Sequence, residues 1–110
     1  MENISSFKDE DQAYREIKEA GYFPFKADYP ALENDFHWHD FDSFLYITGG
    51  ELTVTEYESG ESITCTEGTK ITARAGVVHR EKSPGYSGIF GLSVDPTKLT
   101  QPVDKPVSSD

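Results

Sequence analysis

Residues Phe36–Glu51 read FHWHDFDSFLYITGGE. His37 and His39 are separated by one residue, and on a β-strand that spacing turns both side chains to the same face. The third histidine, His79, follows Ala75-Gly76-Val77-Val78, a turn signal ahead of another strand-like run. These are all the histidines of the chain. Two on one strand face and one at the head of another strand, with none left over, point to a bound transition metal. A neutral imidazole inside an apolar barrel is costly to keep three times over without a ligand.

Working outward, the sequence holds a period of two from Gly21 onward. Candidate strands run through Phe23–Ala27, Asp35–His39, Phe44–Thr48, Leu52–Tyr57, Ser62–Thr66, Lys70–Ala73, His79–Lys82 and Ser87–Val94. Turn signals separate them at Pro30, Gly49-Gly50, Ser59-Gly60, Glu67-Gly68, Ala75-Gly76 and Pro84-Gly85. Short strands broken at regular intervals by glycine predict an all-β antiparallel sandwich or barrel. Before them, Asp9–Ala20 has acidic residues in front, Gly21 just past the end, and Ala13, Ile17 and Ala20 on one face. That pattern predicts a short, mostly solvated helix. The chain divides into a helical lead-in (1–22), a barrel (23–94) and a proline-rich tail (95–110), extended or disordered.

Composition limits the functions open to such a chain. At 110 residues it is one domain, large enough for a core without disulfides. The single cysteine, Cys65, excludes an intrachain disulfide framework. No apolar run approaches the ~20 residues of a membrane span, and the acidic, polar N-terminus does not read as a signal peptide. A cytoplasmic location is expected. The formal charge of −10 would repel a phosphate backbone or an anionic membrane, so neither is an expected partner.

If His37 and His39 face the barrel interior, Phe36 and Trp38 face outward, where large apolar rings are costly to leave wet. The helix, the tail or a second subunit must cover them. A homodimer through that face is the economical expectation.

The segments Phe36–Glu51 and Gly68–Ser83, the latter GTKITARAGVVHREKS, resemble the two sequence motifs of the cupins, small double-stranded β-helix barrels of the jelly-roll type. The first motif reads G-x5-H-x-H-x3,4-E-x6-G. His37, His39 and Gly50 fit it, while Ala31 stands for the leading glycine and Ser43 for the glutamate. The second reads G-x5-P-x-G-x2-H-x3-N. Gly68, Gly76 and His79 fit, while Arg74 replaces the proline and Ser83 the asparagine. The resemblance covers about Phe23–Val94. It implies a cupin barrel with a short N-terminal helix and a divalent ion (iron, manganese, nickel, copper or zinc) held by His37, His39 and His79. It does not imply one reaction, because one fold hosts many chemistries.

Serine at position 43 removes the anionic ligand that the family's glutamate supplies. Three neutral imidazoles leave a divalent charge uncompensated, which favours an anionic ligand or substrate at the open positions. Asp42, next door, is the candidate fourth ligand, although strand alternation puts it on the face opposite Ser43. Arg74, near the barrel mouth, could pair with a carboxylate, or be a solvated strand-end residue. Tyr46 alternates with Leu45 and Ile47 and either turns its hydroxyl to a polar pocket or serves as a core aromatic. Together with Ser43 these are the candidate substrate-binding residues. Cys65 reads as a small core residue, and Glu56, Glu58 and Glu61 as a solvated hairpin end. Beside a structural metal closed off by a fourth ligand such as Asp42 or water, two functions compete. One is a metal-dependent enzyme (dioxygenase, isomerase or lyase) acting on a small anionic substrate in a pocket of roughly a few hundred Å³. The other is a non-catalytic small-ligand-binding or sensor barrel.

Overall fold

The computed structural model describes residues 4–99 and 104–107. The parts of the lead-in and tail at 1–3, 100–103 and 108–110 lie outside them. In chain order the elements are β1 (Ile4–Ser6), α1 (Glu10–Glu19), β2 (Phe23–Glu33), β3 (His37–Trp38), β4 (Ser43–Glu56), β5 (Ser62–Thr66), β6 (Thr69–Ala73), β7 (His79–Leu92), a 3-10 turn (Pro96–Lys98) and β8 (Lys105–Pro106). All strand pairings are antiparallel. β7 is the hub, pairing with β2, β3 and β4. The fold is the cupin barrel expected from the sequence.

The helix forms where its caps place it. The Asp9 side chain accepts a hydrogen bond from the Gln12 amide (2.9 Å), and Ala20 closes the other end. Ala13 and Ile17 are wholly buried against Tyr46 and Ile89. Ala20, expected on that face, is exposed because the helix has already ended there. The helix thus seals the outer face of the sheet, while Leu45, Ile47, Leu52, Val54, Cys65, Ile71 and Tyr86 form the core inside the barrel.

Two expected turns are bends within long strands. Gly49-Gly50 joins the two predicted halves of β4, and Pro84-Gly85 joins those of β7. The β4–β7 register shifts between Ile47 and Gly49 and again between Glu51 and Thr53, so each strand bends without breaking. Gly50 requires glycine: its φ is 72°, and a Cβ there would stand 2.2 Å from the Gly85 carbonyl oxygen. Pro84, lacking an N–H, falls in the gap of the registers that β7 makes with β2 and with β4. Ser83 braces the bend, its hydroxyl donating to the Glu51 carbonyl and accepting from the Gly85 amide (2.9 Å). β2 runs on past Ala27, through Pro30, to Glu33.

β1 and β8 were not expected. β1 pairs with β6, and β8 lays part of the tail along β3, with Trp38 opposite Lys105. The Lys105 ammonium lies 5.8 Å from the Trp38 ring centroid, while Phe36 packs edge-on to Tyr57 at 5.1 Å and under Arg80. Both outward aromatics are therefore partly covered from within the chain, and that cover does not require a second subunit.

Candidate metal centre

β3 and β7 meet at a single register pair, His37 opposite His79. His39 follows on the same side as His37, and the turn at Ala75-Gly76 holds the two segments together. There the Gly76 amide donates to the His39 carbonyl (2.8 Å), and the Ala75 amide donates to Asp42 Oδ1 (2.8 Å). Gly76 takes a φ of 84°, which glycine reaches freely. The three imidazoles thus converge, with ring centroids 4.6–5.2 Å apart. One ring nitrogen from each lies within 4.8 Å of the others.

Two of the rings are oriented by their own backbone. His37 Nδ1 donates to the Asp35 carbonyl (2.8 Å) and His79 Nδ1 to the Val77 carbonyl (3.0 Å). A carbonyl can only accept, so Nδ1 carries a proton in both rings, which leaves Nε2 as the nitrogen a metal would take once the proton on it is released.

Glu81, which neither motif marks, lies against two of the three imidazoles. Its Oε1 lies 3.2 Å from His37 Nε2 and 3.3 Å from His79 Nε2. Burial acts to raise its pKa, but hydrogen bonds from both imidazoles outweigh that and hold the carboxyl at about 2. The same bond drives His37 up to about 9, against the opposing effect of burial. Its backbone is pinned as well, the Glu81 amide donating to Asn34 Oδ1 (2.7 Å). The available signal was His79-Arg80-Glu81, a spacing of two that repeats the His37–His39 logic on β7. Asp104, just before β8, brings a second carboxylate to within 3.8 Å of His37 and 3.7 Å of His39. No local signal marks it, because only the pairing of β8 with β3 carries it there.

Below the histidines opens a cavity of about 710 Å³, larger than the sequence suggested. Ser43 and Arg74 line it, as do His39, His79, Glu81 and Asp104. Tyr46 does not. It is fully buried on the opposite face of β4, where its hydroxyl donates to Glu16 Oε1 of the helix (2.7 Å). Burial and that acceptor both push its pKa up. Asp42 braces the Ala75 turn with the hydrogen bond described above. Cys65 is 1% exposed inside the core.

No family model and no curated protein matches the chain. Solved structures do. A DUF861 family protein from Thermotoga maritima superposes with a TM-score of 0.60 at 19% identity, covering 81% of this chain and 96% of its own. A cupin-2 domain containing protein from Shewanella frigidimarina gives a TM-score of 0.55 at 20% identity, covering 67% and 71%. A protein from Neisseria meningitidis gives 0.55 at 27% identity, covering 66% and 75%. The chain therefore has the cupin fold, with its three histidines gathered at one site. Among the described residues no helix is long and apolar enough to cross a membrane.

Proposed function

We propose that this protein is a small metal-binding cupin in which His37, His39, His79 and Glu81 hold one divalent transition metal at the head of the cavity. The observation that carries this reading is the placement of Glu81 Oε1 against the Nε2 atoms of His37 and His79, the atoms that a metal would engage. Three imidazoles and one carboxylate suit iron, manganese, nickel, copper or zinc. One nitrogen of each ring lies within 4.8 Å of the others, a spacing that supports three imidazoles sharing one ion. Glu81 restores on β7 the negative charge that Ser43 removes from β4. One carboxylate would offset one of the ion's two charges, so an anionic ligand is less strongly required than three neutral imidazoles alone would make it.

When bound, the metal supplies Lewis acidity and, for iron, redox chemistry. The chain's own residues do the rest. Asp35 and Val77 fix the tautomers through their carbonyls, Asn34 and the Gly76 turn hold the ligands in register, and the apolar cavity limits water at the head. An enzyme of the dioxygenase, isomerase or lyase type is the favoured reading, since the His39 and His79 side faces the cavity where a ligand can approach. A non-catalytic sensor is the alternative, distinguished by tight retention of a small molecule without turnover.

Elemental analysis of the full chain, purified without chelator, tests the site. About one transition metal per chain is expected, and His37→Ala and His79→Ala each abolish stoichiometric loading. Full metal content in both variants, or a native protein that refuses added metal, would falsify the assignment.

A further inference from the structure

The cavity has a wall that metal binding does not use. Phe25 and Tyr29 of β2 stand opposite Phe90 and Tyr86 of β7 in the strand register. Phe25 stacks on Phe90 with centroids 4.9 Å apart, and Tyr29 stacks on Tyr86 at 5.2 Å. Tyr29 also meets Phe90 edge-on at 5.9 Å. Four rings therefore form one continuous aromatic surface, and all four line the cavity.

Charge is confined to one end. Among the described lining residues, the carboxylates of Glu56, Glu81 and Asp104 outnumber the one guanidinium, Arg74. These three carboxylates balance the guanidinium and a bound divalent ion together, so the space offers an anion no net positive charge against the chain's overall −10. Water is also a poor occupant, since most of the wall offers it no hydrogen-bond partner. A flat protein surface could not fill the space either. Tyr29 at the rim is 37% exposed, but Tyr86 and Leu52, at 5% and 1%, lie deep in the barrel core.

We propose that the cavity binds a neutral aromatic molecule bearing one hydroxyl or carbonyl oxygen. Its rings lie against Phe25, Tyr29, Tyr86 and Phe90, and its oxygen points to the histidine end. The assignment rests on the metal-site reading for the role of the oxygen and on the aromatic wall for the rings. Offset or edge-on contact between rings adds attraction beyond area burial, so the wall discriminates aromatic from saturated ligands of the same size.

Isothermal titration calorimetry of the metal-loaded chain tests this with three bicyclic probes of similar size: naphthol, naphthoate and decahydronaphthol. Naphthol is expected to bind at least about tenfold more tightly than either of the others. Tyr29→Ala, at the rim, should weaken naphthol about three- to tenfold and lower the melting temperature by several degrees while leaving metal content unchanged. Equal or tighter binding of naphthoate, parity with the saturated alcohol, or no naphthol binding to a metal-loaded protein would overturn the ligand class and leave the metal site standing. A naphthol preference in a protein that takes up no metal would support the ligand class and sink the metal site. Sedimentation of the same samples covers the remaining occupant. A dimer that Tyr29→Ala dissociates, and that binds no naphthol, assigns the wall to a second copy of the chain and overturns the proposal.

Discussion

Glu81 carries two contradictory pressures. Burial favours its neutral form, and two imidazoles hold it ionised. A carboxylate kept charged in this position is suited to a cation at the same point, so Glu81→Gln isolates the charge while preserving shape. Metal affinity, measured by competition with a chromophoric chelator, should fall about ten- to a hundredfold, with the three histidines still loading metal at high concentration. An unchanged affinity would remove Glu81 from the ligand set and leave it a bracing partner of His37. The histidines were legible from spacing alone, because a period of two is a local property. Glu81 is equally local to His79, but neither motif marks it, since the family pattern places its carboxylate at position 43. Asp104 and the covering of Trp38 were not legible, since both depend on a pairing between segments far apart in sequence.

At the scale of elements, the helix is the clearest case. It packs so closely on β7 that a Cβ at Gly91 would come 2.7 Å from Ile17 Cγ1 and 2.9 Å from Cγ2. Ile17 is β-branched and fully buried, so it has little freedom to give way. Gly91→Ala should therefore destabilise the fold by about 1–3 kcal/mol in urea unfolding, a loss an exposed Gly60→Ala would not reproduce through packing. A polar lock sits beside this contact. Glu16 Oε1 accepts from Lys70 Nζ (2.9 Å) and from the Tyr46 hydroxyl, and Gln12 reaches its other oxygen. Lys70, first among these, draws the Glu16 carboxyl from 4.5 down to about 2. A depressed carboxylate pKa stabilises the folded state above the unfolded value and loses that contribution as pH falls through the folded one. The lock is thus complete above about pH 4.5 and released toward pH 2. Because solvent reaches part of the pair, its worth is of order 1 kcal/mol. Urea midpoints from pH 7 down to pH 2.5 should drop more steeply in the native chain than in Glu16→Gln; parallel curves would show that the lock contributes nothing. The helix caps and its buried stripe were readable in the sequence, whereas this lock was not, because Tyr46, Lys70 and Glu16 come from three separate elements.

The whole molecule closes its histidine end with segments drawn from both halves of the chain. Removing everything after Leu99 would take away Asp104 and β8, uncovering Trp38, the sole tryptophan. Its fluorescence should shift to the red and become more accessible to acrylamide, with a smaller loss of metal affinity than Glu81→Gln produces. An unshifted spectrum would mean that β8 does not cover Trp38 in solution. By itself, the sequence determined the barrel class, the helix with its caps and the three histidines, because period, capping and turn chemistry act over a few residues. Only the tertiary structure decided that Gly49-Gly50 and Pro84-Gly85 bend strands instead of ending them. It also decided that Tyr46 faces the helix, that Glu81 and Asp104 reach the imidazoles, and that four rings of β2 and β7 form one wall. Each of these follows from register between distant strands, and register is set by the sum of many weak contacts that no single stretch of sequence contains.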